Sequence, residues 1–242
     1  MSMATSGIAM AEDAALRAAV VNACRELTHR GLTHGTSGNV SLRRNRRQFF
    51  MSPTGMAYDA MNPEDIPVMD LDGRWFGWRR PSSEWRFHRD ILKSRSDVGA
   101  IVHTHSVRAT ALACTGRGIP AFHYMVAVAG GTDIRCAAYH TFGTQALSEA
   151  ALAALENRRA CLLANHGVIA CGGELPAALA LASEVENLAV QYCTALTLGD
   201  VRILDEEEMR RVLDKFRGYG RQDAVDAGLE HGGSGIPPAG DP

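Results

Sequence analysis

Apolar residues recur at helical spacing through Leu16, Val20, Cys24 and Leu27. That stripe predicts an amphipathic helix over 12–30, with Gly31 as its C-cap. The texture then changes to small residues, Thr33-His34-Gly35-Thr36-Ser37-Gly38-Asn39, ahead of a short strand carrying Val40 and Leu42. Gln48 to Met51 reads as its hairpin partner, and Arg43, Arg44, Arg46 and Arg47 fill the turn between them as a solvated basic tip. A second hairpin is expected over 66–78 around Asp72-Gly73. Ser82 or Ser83 is a suitable N-cap for a helix through Trp85, Ile91 and Leu92. Gly99 to His105 is a short apolar strand ending in histidines, after which Ser106 caps a small helix through Cys114. Beyond it the pattern predicts a strand at 133–140, a helix at 141–157 and strands at 160–165 and 168–171. A long helix follows over 175–198, then a last one capped by Asp205 and running to Arg217.

Strands and helices mix along the chain with no repeat and no dividing linker. The expectation is one layered α/β domain over 1–220 whose sheet is mainly antiparallel, because its strands come in hairpins. From Gly218 onward seven glycines and three prolines fall in 25 residues, so 221–242 is expected to be a Gly/Pro-rich tail, disordered at its far end.

At 242 residues, 46% hydrophobic and 21% charged, the chain has material for a real core. Its 25 basic and 27 acidic side chains leave a formal charge of −2, which argues against a nucleic-acid binder that works by neutralising phosphates. No apolar run approaches the 18 or so residues of a membrane span, and Met1 to Ala11 lacks the charged and apolar regions of a secretory signal. Cys24, Cys114, Cys136, Cys161, Cys171 and Cys193 form no C-x-x-C pair. They read as buried, reduced thiols of a cytoplasmic protein.

The strongest chemical feature is Val102-His103-Thr104-His105. Side chains two apart on a strand share a face, so both imidazoles can reach one metal ion; the same spacing also suits two polar residues on a strand face. His166, in an Asn-His-Gly turn after an apolar strand, is the third candidate ligand, or a structural histidine. Glu84 sits where a glutamate favours the helix dipole, and equally where a carboxylate can ligate a metal or act as a base. Three loops offer hydroxyls and backbone N–H groups to an anion: Gly35 to Asn39, Ser52 to Gly55, and Ser82-Ser83. Tyr124 and Tyr219 are possible proton donors. The remaining histidines, His88 and His140 among them, read as structural or exposed.

Together these pieces resemble the class II aldolase/adducin family. The likeness is carried by Gly35-Thr36-Ser37-Gly38-Asn39-Val40-Ser41, Ser52-Pro53-Thr54-Gly55, Ser82-Ser83-Glu84-Trp85-Arg86-Phe87-His88 and Val102-His103-Thr104-His105. Pro120 to Met125, Thr141-Phe142-Gly143-Thr144, Asn165-His166-Gly167 and Phe216 to Gly220 continue it in the family's order. The resemblance implies a three-layer α/β domain with a central, mainly antiparallel sheet and helices on both faces. It also implies a homotetramer with active sites between subunits. It assigns Zn2+, or another divalent metal such as Mn2+ or Co2+, to His103, His105, His166 and Glu84, with Glu84 also the acid/base. Phosphate would lie on Gly38, Asn39, Thr54, Gly55, Ser82 and Ser83. Tyr124, as proton donor, and Tyr219 would come from a neighbouring subunit.

The activity so implied is reversible cleavage of a ketose 1-phosphate to dihydroxyacetone phosphate and an aldehyde through a metal-stabilised ene-diolate. Leu32-Thr33-His34 and Ala164-Asn165 depart from the family's pattern beside the pocket. The departures make a 5-deoxyketose or methylthioribulose 1-phosphate an alternative to L-fuculose 1-phosphate. Competing readings are a methylthioribulose-1-phosphate dehydratase, a sugar-phosphate epimerase of the same fold, and a non-catalytic adducin-like interaction module.

Overall fold

The computed structural model describes residues 2–218. Eight strands form one sheet: β1 (Asn39–Arg43), β2 (Gln48–Met51), β3 (Val68–Asp70), β4 (Trp75–Phe76), β5 (Ala100–Thr104), β6 (Cys136–Ala137), β7 (Ala160–Leu163) and β8 (Gly167–Gly172). Their spatial order is β4-β3-β2-β1-β5-β8-β7-β6. Every neighbouring pair is antiparallel except β6 with β7, as the hairpins lead one to expect.

Period-two alternation on the central strands separates two cores. Val40, Phe50, Val102, Leu162 and Val168 face one layer. It is built from α1 (Ser2–His29), α3 (Val107–Ala113), α5 (Leu175–Leu198) and α6 (Glu206–Phe216), through Cys24, Leu112, Val185 and Met209 among others. Phe49, Met51, Ile101, Cys161, Leu163 and Ile169 face the other, built from α2 (Trp85–Ser94) and α4 (Gln145–Ala154) through Phe87, Ile91 and Leu147. Each such side chain, fully buried, contributes about 1.5–3 kcal/mol relative to exposure. The result is the helix–sheet–helix layering that the family resemblance implies.

Several boundaries move. Helix α1 begins at Ser2, ahead of the expected residue 12. The residues before Leu16 are rich in alanine, whose helix propensity extends the element although no apolar stripe marks it. Gly31, at φ 66°, does end the helix, with the Leu32 N–H bonded back to the Leu27 carbonyl. The strand expected at 133–140 shrinks to Cys136–Ala137, because only those residues pair with β7 at the sheet edge. The helix expected at 141–157 starts after Thr144, whose Oγ1 accepts the Leu147 N–H. Ser106 occupies the N-cap of α3 without capping it; the Glu186 carboxylate on α5 accepts the N–H groups of Arg108 and Ala109 instead. Asp205 caps α6 as expected, through Glu208 N–H.

The basic tip is only partly solvated. Arg43 donates to the carbonyls of Leu92, Arg95 and Val98, and Arg44 pairs with Asp13. All six cysteines are free thiols. Three are buried and Cys114 is exposed at the end of α3, contrary to the expectation of burial. Burial pushes Cys24 and Cys171 up to about 12, so neither is a nucleophile at neutral pH. No described helix is long and apolar enough to cross a membrane. The Gly/Pro-rich tail lies outside the described residues.

Candidate active site

Strand β5 occupies the middle of the sheet, between β1 and β8, and His103 is in register with Asn39 on one side and Ile169 on the other. Its two-residue period sends His103 out on the face that Ile101 also uses, and His105 follows on that face just past the strand's end. His103 has no exposed surface. Its Nδ1 lies 2.8 Å from the Val168 carbonyl oxygen. A carbonyl only accepts, so Nδ1 carries the hydrogen and Nε2 keeps its lone pair.

His166 comes from the turn between β7 and β8. Asn165 bends there into the left-handed region at φ 53°, and asparagine tolerates this better than most residues. Gly167 follows because nothing larger fits: a Cβ would stand 2.3 Å from the Thr104 carbonyl oxygen and 2.9 Å from the His105 ring. Glu84 arrives from the opposite side, at the N-terminus of α2. The expected serine cap is displaced by one or two residues. Glu84 takes the N-cap position, yet its side chain makes no cap bond and turns instead into the histidine cluster.

The four side chains converge. Glu84 Oε2 is 3.2 Å from His103 Nε2, Glu84 Oε1 is 3.1 Å from His166 Nε2, and the two Nε2 atoms of His103 and His105 are 3.1 Å apart. One donor atom from each residue lies within 4.8 Å of every other. Donors at about 2.0–2.2 Å around a tetrahedral divalent cation stand about 3.3 Å from one another, close to these separations. Glu84 Oε1 is buried and has no hydrogen-bond partner among the described residues, with His166 Nε2 3.1 Å away. An orphaned buried carboxylate oxygen beside imidazole nitrogens is costly unless a cation satisfies it. The donor set therefore fits a divalent metal.

Charge in the cluster follows the same logic. Burial alone would raise the Glu84 carboxyl, but His103 and His166 more than reverse that and hold it well below the usual carboxylate range. Burial, then the neighbouring His103 and His166, push His105 down to about 4, leaving a neutral imidazole with a lone pair.

The three small-residue loops are stitched together beside Glu84. Val40 N–H donates to Ser52 Oγ, Ser82 N–H to the Ser52 carbonyl, Thr54 N–H to the Arg80 carbonyl and Glu84 N–H to Ser82 Oγ. Thr54, Gly55 and Ser83 stay exposed, and Asn39 Nδ2 donates to Glu84 Oε2 at 2.9 Å. Gly38, at φ 83°, has room only for hydrogen, since a Cβ would approach the His103 carbonyl oxygen to 2.9 Å.

Tyr124 is not brought to this cluster within the protomer. It opens a short 3₁₀ segment and lines a separate cleft of about 760 Å³ with Phe122, His123 and Phe216. Tyr219 lies outside the described residues.

A cleft of about 250 Å³ does adjoin the cluster, lined by Glu84, His105 and His166 together with Ser83, Tyr139, His140, Phe142 and Asn165. Tyr139, His140 and Phe142 fall in a connection with no period of their own, so the sequence does not mark them as site residues. Their one signal is the placing of three rings between a short strand and a helix. Tyr139 and Phe142 are 59% and 63% exposed. His88, expected to be structural or exposed, is wholly buried and bonds to Asn39.

Comparison with known proteins agrees with this geometry. Residues 18–193 match the model of the Class II Aldolase and Adducin N-terminal domain. The chain is 55% identical over 206 residues to the 5-methylthioribulose-1-phosphate/5-deoxyribulose-1-phosphate aldolase of Rhodospirillum rubrum, covering 85% of this chain and 93% of that one. It is 47% identical over 202 residues to the L-fuculose phosphate aldolase of Escherichia coli, covering 83% and 94%. Among solved structures, an L-fuculose 1-phosphate aldolase superposes with a TM-score of 0.81 at 40% identity, over 84% of this chain and 96% of that one. A sheet of this order, four convergent side chains able to hold a metal and matches along most of the chain lead to one assignment: the protein belongs to the class II aldolase and adducin family.

Proposed function

We propose that the protein is a divalent-metal-dependent aldolase, with Zn2+ as the resident ion, that reversibly cleaves a ketose 1-phosphate into dihydroxyacetone phosphate and an aldehyde. The observation that carries this is the Glu84, His103, His105 and His166 group, whose donor atoms lie within 4.8 Å of one another beside an open cleft. A cation held there supplies Lewis-acid stabilisation of the charge that develops when the C3–C4 bond breaks.

The chain's own groups do the rest. Gly38, Asn39, Thr54, Gly55, Ser82 and Ser83 take the phosphate, giving binding energy remote from the breaking bond. Tyr124, contributed by a neighbouring subunit of a homotetramer, takes the C4 hydroxyl proton in cleavage and returns it to the aldehyde oxygen in condensation, with Tyr219 as a second tyrosine from that subunit. The C3–C4 electron pair is left on the dihydroxyacetone phosphate fragment, and Glu84 delivers the proton to C3.

The substrate class is a ketose 1-phosphate with a deoxygenated far end, 5-deoxyribulose or 5-methylthioribulose 1-phosphate ahead of L-fuculose 1-phosphate. Exposed rings of Tyr139 and Phe142 line the cleft beside Glu84, His105 and His166 and suit a deoxygenated end, and the order is favoured by the relative at 55% identity, which is named for the first two substrates. The test is an enzyme-coupled assay for dihydroxyacetone phosphate over the three ketose phosphates, with metal analysis of the same sample. Release of dihydroxyacetone phosphate by metal-replete protein is expected. Water loss without chain cleavage overturns the aldolase reading in favour of a dehydratase.

A further inference from the structure

We propose that His88 is a positioning residue of the active site: paired with Ser41, it holds the Asn39 side-chain amide with Nδ2 toward Glu84, which keeps Oε2 bonded and Oε1 turned to the metal position. This rests on the reading of Glu84 as ligand and base.

The geometry leaves one consistent assignment. Ser41 Oγ is 2.7 Å from His88 Nδ1, His88 Nε2 is 2.5 Å from Asn39 Oδ1, and Asn39 Nδ2 is 2.9 Å from Glu84 Oε2. A carboxylate only accepts, so the Asn39 NH2 must face Glu84 and Oδ1 must face the imidazole. Oδ1 also only accepts, so His88 Nε2 carries the hydrogen. Nδ1 then has a lone pair and takes the hydroxyl hydrogen of Ser41. In the opposite tautomer two acceptors would meet at 2.5 Å. The amide flip that relieved them would turn Oδ1 onto the Glu84 carboxylate.

The four groups are all buried: Ser41 and His88 have no exposed surface, Asn39 is 3% exposed and Glu84 7%. Their place in the fold explains the chain of bonds. Asn39 and Ser41 are two apart on β1 and share a face. Glu84 and His88 are four apart at the start of α2 and share a side of the helix. Burial keeps the imidazole neutral, which a donor–acceptor relay requires.

A merely structural histidine would change stability alone. A positioning role changes metal affinity and turnover, because Asn39 is free to flip once Oδ1 loses its donor. The test compares His88→Phe, His88→Gln and Ser41→Ala with the wild-type protein. Cobalt(II) affinity is read by absorbance titration, kcat and KM by dihydroxyacetone phosphate release, and the His88 tautomer by long-range proton–nitrogen NMR.

The expected results are an Nε2–H tautomer in the wild type, a 10–100-fold weaker cobalt affinity and a comparable loss of kcat in His88→Phe, and recovery of most of both in His88→Gln, whose amide can both donate and accept. Should His88→Phe not fold, Ser41→Ala carries the comparison, with a smaller loss of the same two quantities expected. Wild-type cobalt affinity and kcat in a folded His88→Phe or Ser41→Ala protein, or an Nδ1–H tautomer, overturns the proposal. A wild-type protein that neither binds cobalt nor releases dihydroxyacetone phosphate overturns the proposed function instead, while the tautomer still decides the relay.

Discussion

His103 donates its Nδ1–H to the carbonyl oxygen of Val168 across 2.8 Å, and that bond determines which ring nitrogen faces Glu84 and His105. The donor sits on β5 and the acceptor on the adjacent β8, so the hydrogen-bonded register of two central strands sets the tautomer of a candidate metal ligand. The register of β1 against β5 puts Asn39 beside His103 on the other flank, where it reaches Glu84. Several experiments follow from this arrangement.

His166 sits on a turn and is only part-buried, so His166→Ala should leave the fold intact and remove a ligand. Bound metal per chain, measured by elemental analysis after dialysis, should fall from near one to well below it. Affinity should weaken by more than the 10–100-fold that outer-shell changes cost. Chelating the wild-type metal should lower its melting temperature, since an ion present at 100 times its Kd adds about 2.7 kcal/mol. Unchanged metal content in His166→Ala would remove this residue from the ligand set.

Glu84→Gln keeps an oxygen that can accept from Asn39 and bind metal weakly, but it cannot take up a proton at neutral pH. Turnover should drop about 10²–10⁴-fold while some metal is retained. A fully active Glu84→Gln protein defeats the base assignment.

Tyr124 is half-exposed and lines a different cleft of the protomer from the one beside Glu84, His105 and His166. Tyr124→Phe should therefore fold normally and bind a phosphate-bearing inhibitor as the wild type does, yet lose about 10²-fold or more in kcat. Equal kcat for the two proteins would exclude it as the proton donor.

Gly167→Ala introduces a methyl group 2.3 Å from a main-chain oxygen, which neither strand can yield cheaply. Overpacking of this kind costs about 1–3 kcal/mol, or about 2–4 °C of melting temperature per kcal/mol in a chain of this size. Because the displaced atoms belong to Thr104 and His105, metal affinity should fall with stability. A melting curve identical to wild type would show that the turn relaxes freely.

The metal-free protein should lose stability on acidification from about pH 6.5. Burial pushes His88 down to about 3, and burial with its two neighbouring histidines pushes His105 down to about 4. Between those values and about 6.5 the unfolded chain binds a proton at each site and the native one does not, so unfolding becomes easier as pH falls. Each site contributes about 1.4 kcal/mol per pH unit across its window. The Glu84 carboxyl, held low in the fold, adds a loss of the same sign below its ordinary range. Urea midpoints measured from pH 7 to 4 should decline. His88→Gln should decline less steeply, and a flat wild-type profile would contradict the assignment.

Much of the architecture was legible because it rests on local periodicity. Hairpin strands around β1 and β2, the long helix α5 and the Asp205 cap follow from spacing and capping chemistry alone. So does the pairing of His103 with His105, since a strand's two-residue period puts them on one face wherever the strand lies. Elements whose ends depend on partners were misplaced. β6 stops where β7 no longer pairs with it, and α3 is capped by Glu186, some 80 positions along the chain.

What the sequence by itself determined was the set of chemical groups and the faces on which they stand: two imidazoles on a strand, a carboxylate at a helix start, a histidine in a tight turn, small residues in loops. Only the tertiary structure decided that Glu84 turns away from capping its helix and into the imidazoles, that His88 and Ser41 hold Asn39, and that Tyr139, His140 and Phe142 wall the adjoining cleft. The reason is physical. Periodicity reports which side of an element a residue occupies, whereas convergence depends on strand register and on helix α2 packing over the sheet. Those are fixed by contacts between residues far apart in the chain.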